Sequence, residues 1–353
     1  MKSWSIQLTQ WYRVNKRELP WRETKNAYFI WLSEVILQQT RVQQGLPYYE
    51  RFVHAFPQVS DLANAPLETV LNHWQGLGYY SRARNLHQAA KQIVDRFGGV
   101  FPSDYKHILS LQGVGPYTAA AIASFAFDSP HAVVDGNVYR VLSRYFGIHE
   151  AIDSGTGQRV FAALANELLD ANNAGEHNQA IMEFGALQCL PIKPKCDECI
   201  FKSSCAAYAR DLVHLLPVKV GKIKQRERHF NYVVLQNQEG LYMRERLAKD
   251  IWQHLWEFEM IETESLLDQA EIILHLKQKF SISSDDFYIR GVSEAYKHIL
   301  THQKLVARFW QVQIFSNLQS KELIFVPYNQ LDSKPLPRLI DKYLKKTQHG
   351  WIK

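Results

Sequence analysis

Four cysteines, Cys189, Cys196, Cys199 and Cys205, fall in one short window spaced C-x6-C-x2-C-x5-C, and the sequence holds no others. The first twenty residues mix charges and contain no apolar signal segment, so thiolates this close together point to a metal centre rather than to disulfides. Zinc sites built from four cysteines ordinarily pair two short knuckles, and only Cys196–Cys199 forms one here. Two carboxylates also stand where chemistry could use them. Glu34 lies in Ile30-Trp31-Leu32-Ser33-Glu34-Val35-Ile36-Leu37-Gln38-Gln39-Thr40, a helical stretch apolar on most sides. It is either a surface residue on a narrow polar stripe, which the pattern alone favours, or a partly buried acid. Burial would raise its pKa and keep it protonated near neutrality, as a general acid requires. Asp135, in Val133-Val134-Asp135-Gly136-Asn137-Val138, opens a helix as its N-cap, a place that keeps a carboxylate ionised. One raised and one lowered acid is the arrangement that cleaves glycosidic bonds.

A third group binds rather than reacts. Leu111-Gln112-Gly113-Val114-Gly115-Pro116-Tyr117-Thr118 lies between two short helices. Gly113 and Gly115 permit a tight turn with positive φ, and the N–H groups around Val114 would then point outward with those of the following helix. Such an array holds a phosphate through amides and the helix dipole and reads no sequence. The L-x-G-V-G-P-x-T-A context resembles a helix-hairpin-helix element.

These groups need scaffolds. At 353 residues the chain calls for two or three domains, and 46% hydrophobic with 12% aromatic residues allows real cores. Residues 1–210, within a helical domain of 1–217, read as helix after helix: Tyr28–Gln39, Leu67–Gln75, Ser81–Phe97, Asp104–Leu111 with Ser103 as N-cap, Pro116–Phe127, Asn137–Phe146, Gln158–Leu169 and Asn178–Gln188. Residues 218–228 carry a net charge of +4 out of +6 for the chain, as a solvated linker or a phosphate-contacting strap. Residues 229–353 read as mixed α+β, with strands at Phe230–Leu235, Gly240–Arg244, Lys304–Ile314 and Leu323–Tyr328 and helices at Glu264–Phe280 and Pro337–Leu344. The longest weakly polar run, Tyr117–Phe127, is too short to span a bilayer. A monomer is expected, cytoplasmic or, in a bacterium, associated with the nucleoid.

Taken together, the segments resemble the helix-hairpin-helix DNA glycosylases, most closely the adenine glycosylases. The matching stretches are Leu19-Pro20-Trp21-Arg22, Ser33-Glu34-Val35 through Thr40, Trp74-Gln75-Gly76-Leu77-Gly78-Tyr79-Tyr80 through Leu86, the glycine hairpin, Asp135-Gly136-Asn137-Val138 and the cysteine window, in family order over about 200 residues. The resemblance implies an all-α glycosylase domain with an iron–sulfur loop and an α+β Nudix-like domain after it. It implies that Glu34 protonates N7 of a flipped adenine, and that Asp135 stabilises the oxocarbenium ion with support from Tyr117 and Asn137. Arg17, Trp21 and Gln179 would line the adenine pocket. Leu77 and Tyr79 would wedge into the duplex, with Gln39 or Gln38, beside Thr40, reading across the gap. In endonuclease III, the pyrimidine-specific relative, a lysine takes the place of Tyr117 and attacks the sugar. A tyrosine cannot, so a monofunctional enzyme is expected. The four cysteines would hold one [4Fe-4S] cluster, and Lys193, Lys195 and Lys202 of its loop could face phosphates.

In the second domain, Ile251-Trp252-Gln253-His254-Leu255-Trp256-Glu257-Phe258 resembles a segment of the adenine glycosylases' C-terminal domain, which checks for 8-oxoguanine opposite the adenine. The string by which Nudix hydrolases hold their metals is not found, so phosphohydrolase activity is not expected. Leu300-Thr301-His302 aligns with the lesion-reading loop, usually Phe-Ser-His, and loses its stacking ring. The partner implied is double-stranded DNA bearing adenine opposite 8-oxoguanine or guanine. The alternatives are a glycosylase for oxidised pyrimidines and a catalytically silent damage-binding protein.

Overall fold

Helix follows helix through the first two thirds of the chain because apolar residues recur there at helical spacing and caps close the ends. The computed structural model describes residues 2–221, 224–315 and 318–351; Lys222 and Ile223 of the basic stretch lie outside the described residues. The helices are α1 (Lys2–Asn15), α2 (Ala27–Leu37), α3 (Val42–Ala55), α4 (Val59–Asn64), α5 (Leu67–Trp74), α6 (Ser81–Phe97), α7 (Tyr105–Leu109), α8 (Pro116–Phe127), α9 (Gly136–Phe146), α10 (Gly155–Leu168), α11 (Ala174–Leu187), α12 (Ala206–Ala209), α13 (Gln269–Phe280) and α14 (Arg338–Trp351). The sequence reading missed α1 entirely. It also placed the α7 cap one residue early: Asp104, not Ser103, accepts from the His107 N–H at 3.0 Å.

The chain divides into two compact units, Met1–Asn64 with Asn85–Gly221, and Ala65–Arg84 with Lys222–Lys353. Residues 65–84, which pattern assigns to the helical domain, thus belong with the second unit. In the first unit, Trp4 and Leu8 of α1 pack with Val138 and Leu142 of α9, Phe161 of α10, Phe184 of α11 and Phe201 of the cysteine loop. Each such side chain, fully buried, contributes about 2 kcal/mol. Helix α2 is buried on nearly every side, and Asn26 starts it by accepting from the Tyr28 N–H. Helix α8 begins at Pro116, whose missing N–H costs nothing at a first turn. It then buries every residue from Thr118 to Phe125.

The second unit is an eight-stranded mixed sheet: β1 (Arg226–Gln236), β2 (Gly240–Glu245), β3 (Trp256–Glu257), β4 (Glu259–Thr263), β5 (Phe287–Val292), β6 (Tyr296–Ile299), β7 (Gln303–Ile314) and β8 (Ile324–Pro327). Strands β1 and β7 run parallel, in register from Arg226↔Gln303 to Gln236↔Gln313, and the remaining pairs are antiparallel. Helix α13 carries a capping box, Asp268 with Glu271, and packs Ile272 and Leu276 against Val233, Leu235 and Val312. Strands β4, β5 and β6 were not read from sequence. They are half-exposed, with little apolar alternation to mark them. Among the described residues, no helix is long and apolar enough to cross a membrane.

Candidate active site

Helices α2, α8, α9 and α11 of the first unit surround a cavity of about 660 Å³. Its walls include Arg17, Trp21, Glu34, Gln38, Gln39, Thr40, Tyr117, Asp135, Asn137 and Gln179, so one cavity gathers residues spread over more than 160 positions of sequence.

Glu34 corrects the surface reading. It sits on the buried helix α2, is 8% exposed, and accepts from the Tyr117 hydroxyl at 2.8 Å. Burial pushes its carboxyl up to about 7, against the pull of that hydrogen bond, and the nearby Asp135 charge adds to the rise. Tyr117 is pushed well above its usual range by the same burial and keeps its proton.

Asp135 is the N-cap of α9, as expected. Its Oδ1 accepts from the N–H groups of Asn137 and Val138, both at 2.8 Å, and its Oδ2 from Asn137 Nδ2 at 2.7 Å. The expectation of a lowered pKa fails. Burial raises it above the ordinary aspartate range, although those three N–H donors and the Arg140 charge pull the other way. A cap set in the wall of a cavity is reached by less water than a cap on the open surface. Arg140 also braces the site: its Nη2 donates to Asn137 Oδ1 at 2.8 Å and to the Gly185 carbonyl at 2.6 Å, and its Nε to the Cys189 carbonyl at 2.6 Å.

Two functional residues escaped the sequence reading. Glu183, whose side chain is 1% exposed, receives Arg17 at 2.8 and 2.5 Å and Arg22 at 2.9 and 2.8 Å. Despite burial, these forks hold its carboxyl down to about 2. The signal was available: Glu183 lies four residues after Gln179 on α11, hence on the same face, and Arg22 follows Trp21. Trp21 is buried and meets Tyr49 edge-on at 5.1 Å.

Not every candidate converges here. Leu77 and Tyr79 belong to the second unit, where Leu77 is buried and Tyr79 is 47% exposed with φ +47°. Tyr79 shares a cavity of about 310 Å³ with Leu300, Thr301 and His302, and its hydroxyl lies 2.5 Å from Thr301 Oγ1. The glycine hairpin forms a separate feature between α7 and α8. Gly113 takes the positive φ that the turn needs, +75°, while Gly115 is extended and caps α8. A Cβ at Gly113 would lie 2.5 Å from Asn85 Cβ.

The four cysteines are unbridged and together rim a void of about 40 Å³. The Phe201 N–H donates to Cys199 Sγ at 3.4 Å and Arg144 Nη1 to Cys189 Sγ at 3.5 Å. Among the described residues, no three His, Cys, Asp or Glu side chains converge on a single ion. Lys193 and Lys195 are exposed, whereas Lys202 pairs with Asp197 at 2.9 Å.

Residues 32–165 match the HhH-GPD superfamily of base excision DNA repair proteins, and residues 231–346 match the NUDIX domain. The chain is 32% identical over 348 residues to an adenine DNA glycosylase of Buchnera aphidicola subsp. Baizongia pistaciae, covering 96% of this chain and 95% of that protein. It is 44% identical over 212 residues to the adenine DNA glycosylase of Mus musculus, covering 58% of this chain and 41% of that one. A solved thermostable thymine-DNA glycosylase is similar over 59% of this chain and 96% of its own, with TM-score 0.55 and 30% identity. A non-covalent endonuclease III–DNA complex covers 59% of this chain and 94% of its own at TM-score 0.52 and 22% identity, a likeness of fold alone.

Proposed function

The chain belongs to the adenine DNA glycosylases, and from that premise we propose that it excises adenine standing opposite 8-oxoguanine or guanine, by hydrolysis of the N-glycosidic bond without strand cleavage. One observation carries the mechanism: a buried carboxyl poised at about 7, Glu34, shares a cavity with a second carboxylate, Asp135, held by three N–H donors.

The target base must leave the stack to be reached. Glu34 donates its proton to N7 of the extruded adenine, so the base departs neutral as the C1′–N9 bond breaks. Asp135 offers negative charge to the oxocarbenium ion that remains, and Asn137 and Arg140 hold it in place. Water then adds to C1′ and gives up a proton to the Glu34 carboxylate, which restores the acid. Tyr117 keeps Glu34 oriented and carries no amine. Among the described residues lining the cavity there is no lysine to form a Schiff base, which supports the monofunctional reading.

The cysteine loop fits one [4Fe-4S] cluster. Four thiols rim one void, which supports that reading. Bound there, the cluster supplies iron–thiolate bonds that cross-link the loop. Through the Cys189 carbonyl, Arg140 ties that loop to Asn137. In the second unit, Thr301 and His302 beside Tyr79 form the surface proposed to read 8-oxoguanine.

The test uses duplexes carrying adenine opposite 8-oxoguanine, guanine or thymine, alkali-treated to reveal abasic sites. Cleavage on the first two, dependent on alkali, is expected. Release of oxidised pyrimidines, or adducts trapped by borohydride, would revive the pyrimidine reading. Tight mispair binding with no base release would favour a silent binder. Iron and sulfide in about equal amounts are expected in the purified protein, and stoichiometric zinc would sink the cluster.

A further inference from the structure

A buried phenol stands behind the cavity wall. Tyr12, on α1, is 4% exposed, and its hydroxyl donates to Oε1 of Gln179 at 2.5 Å. We infer that Tyr12 is a positioning residue: its hydroxyl fixes which end of the Gln179 amide faces the base, so that the cavity presents an N–H donor there. This rests on the reading that adenine enters this cavity.

A phenol carries one proton, and a primary amide has one end that accepts and one that donates. Among the described residues, the Tyr12 hydroxyl has no other partner than Gln179. Turning the amide over would set Nε2 against the phenol oxygen and orphan the phenol proton in a buried place. An unpaired buried donor is penalised enough to select one orientation. The phenol cannot swing away to escape the choice. The Arg22 guanidinium lies 5.6 Å from its ring centroid, and Arg22 is itself gripped by Glu183 at 2.8 and 2.9 Å. Burial also raises the Tyr12 pKa, so the donor keeps its proton.

Gln179 lines the cavity, and its Nε2 has no partner among the described residues. Two N–H bonds are therefore left for a ligand. On adenine, with N7 facing Glu34, the acceptors that remain are the ring nitrogens N1 and N3. Guanine carries a proton on N1. A site that offers a fixed donor therefore discriminates against a base lacking the matching lone pair. The specificity would thus originate one layer behind the pocket wall, on a helix that touches no substrate.

The experiment compares the full-length parent, Tyr12→Phe, Gln179→Leu and the double variant. Each is assayed in single turnover on duplexes bearing adenine, 1-deazaadenine or 3-deazaadenine opposite 8-oxoguanine. The parent is expected to lose about tenfold on one deaza analogue, which identifies the nitrogen read. Tyr12→Phe should lose about tenfold on adenine and most of its discrimination at that same nitrogen, and it should add nothing on top of Gln179→Leu. Gln179→Glu keeps an acceptor for Tyr12 but replaces the donor with oxygen; it should lose at least as much as Gln179→Leu, a result that does not depend on how Tyr12→Phe folds. Parent-like rates in Tyr12→Phe, full additivity, or undiminished discrimination in that variant overturn the inference while leaving adenine excision intact. A parent that releases no adenine overturns the reading of the cavity and the inference with it.

Discussion

At the scale of single residues, Glu34 combines two effects with one origin. Burial that raises its carboxyl from an ordinary 4.5 to about 7 keeps a proton available for donation and makes ionisation costly. General-acid contributions run to about 100-fold or more. Glu34→Gln should therefore lower adenine release at least about 100-fold with unchanged affinity for mispaired duplex; near-parent release would reassign the acid. The pH dependence follows in sign. The active form is protonated, so the single-turnover rate should decline as pH rises through about 7, and a rate that climbs through this range contradicts the role. Because the folded pKa is raised, the residue weakens the fold progressively as pH climbs from 4.5 to about 7, and by a constant amount above that. Glu34→Gln should be more stable than the parent by up to roughly 3 kcal/mol at alkaline pH. The gain should fade to nothing below the unfolded value of 4.5. Denaturant melts at the two extremes decide it, and an equal difference at both would show that protonation is not involved.

Elements impose their own expectations. The hairpin between α7 and α8 depends on one backbone conformation, Gly113 at φ +75° with Asn85 packed where a side chain would go. Gly113→Ala should weaken binding to matched and mispaired duplexes alike by about tenfold, because the contact reads phosphates and not bases. Its rate of base release at saturating protein should stay near the parent's. A loss confined to mispaired DNA would argue that the hairpin senses the lesion. In the sheet, the buried acids Glu257 and Glu259 are already occupied. Glu257 pairs with Arg246 at 2.7 Å, and Glu259 with Lys279 at 2.9 Å and His275 at 3.0 Å, while Arg244 reaches both. Internal cations that fill these oxygens leave few lone pairs for a divalent ion. Calorimetric titration of the protein with Mg²⁺ should show no stoichiometric binding, and nucleoside triphosphates should survive incubation. Either event would mean that these pairs open.

For the whole molecule, the informative feature is that residues 65–84 belong with the C-terminal unit. Lys334 pairs with Glu68 at 3.0 Å, the Leu336 N–H donates to Gln75 Oε1 at 3.1 Å, the Tyr80 hydroxyl to the Leu336 carbonyl at 3.3 Å, and Arg84 to the Gln253 carbonyl at 3.0 Å. Truncation after Gly221 removes every one of those partners. In that fragment, amide exchange across 65–84 should accelerate strongly while α2 keeps its protection. Unchanged exchange in 65–84 would show that the segment is held by the helical unit instead.

Much of this protein was legible in its sequence, because the signals are local. The cysteine spacing, the glycine hairpin, the Asp135 cap and the apolar periodicity of α2, α6 and α8 each depend on neighbours a few positions away. Helical order, the α+β texture after residue 228 and the family resemblance followed from them. What the sequence left open was decided by burial, which is a property of packing. Pattern placed Glu34 on the surface and gave Asp135 a lowered pKa, and both failed because helices distant in sequence set the two carboxylates into one cavity, where charge is costlier than at a surface. Glu183 became an anchor only when α11 met Arg17 and Arg22, and residues 65–84 changed allegiance because their partners lie 169 to 266 positions away. Charge in a protein is set by what surrounds it, and the surroundings exist only after the chain has folded.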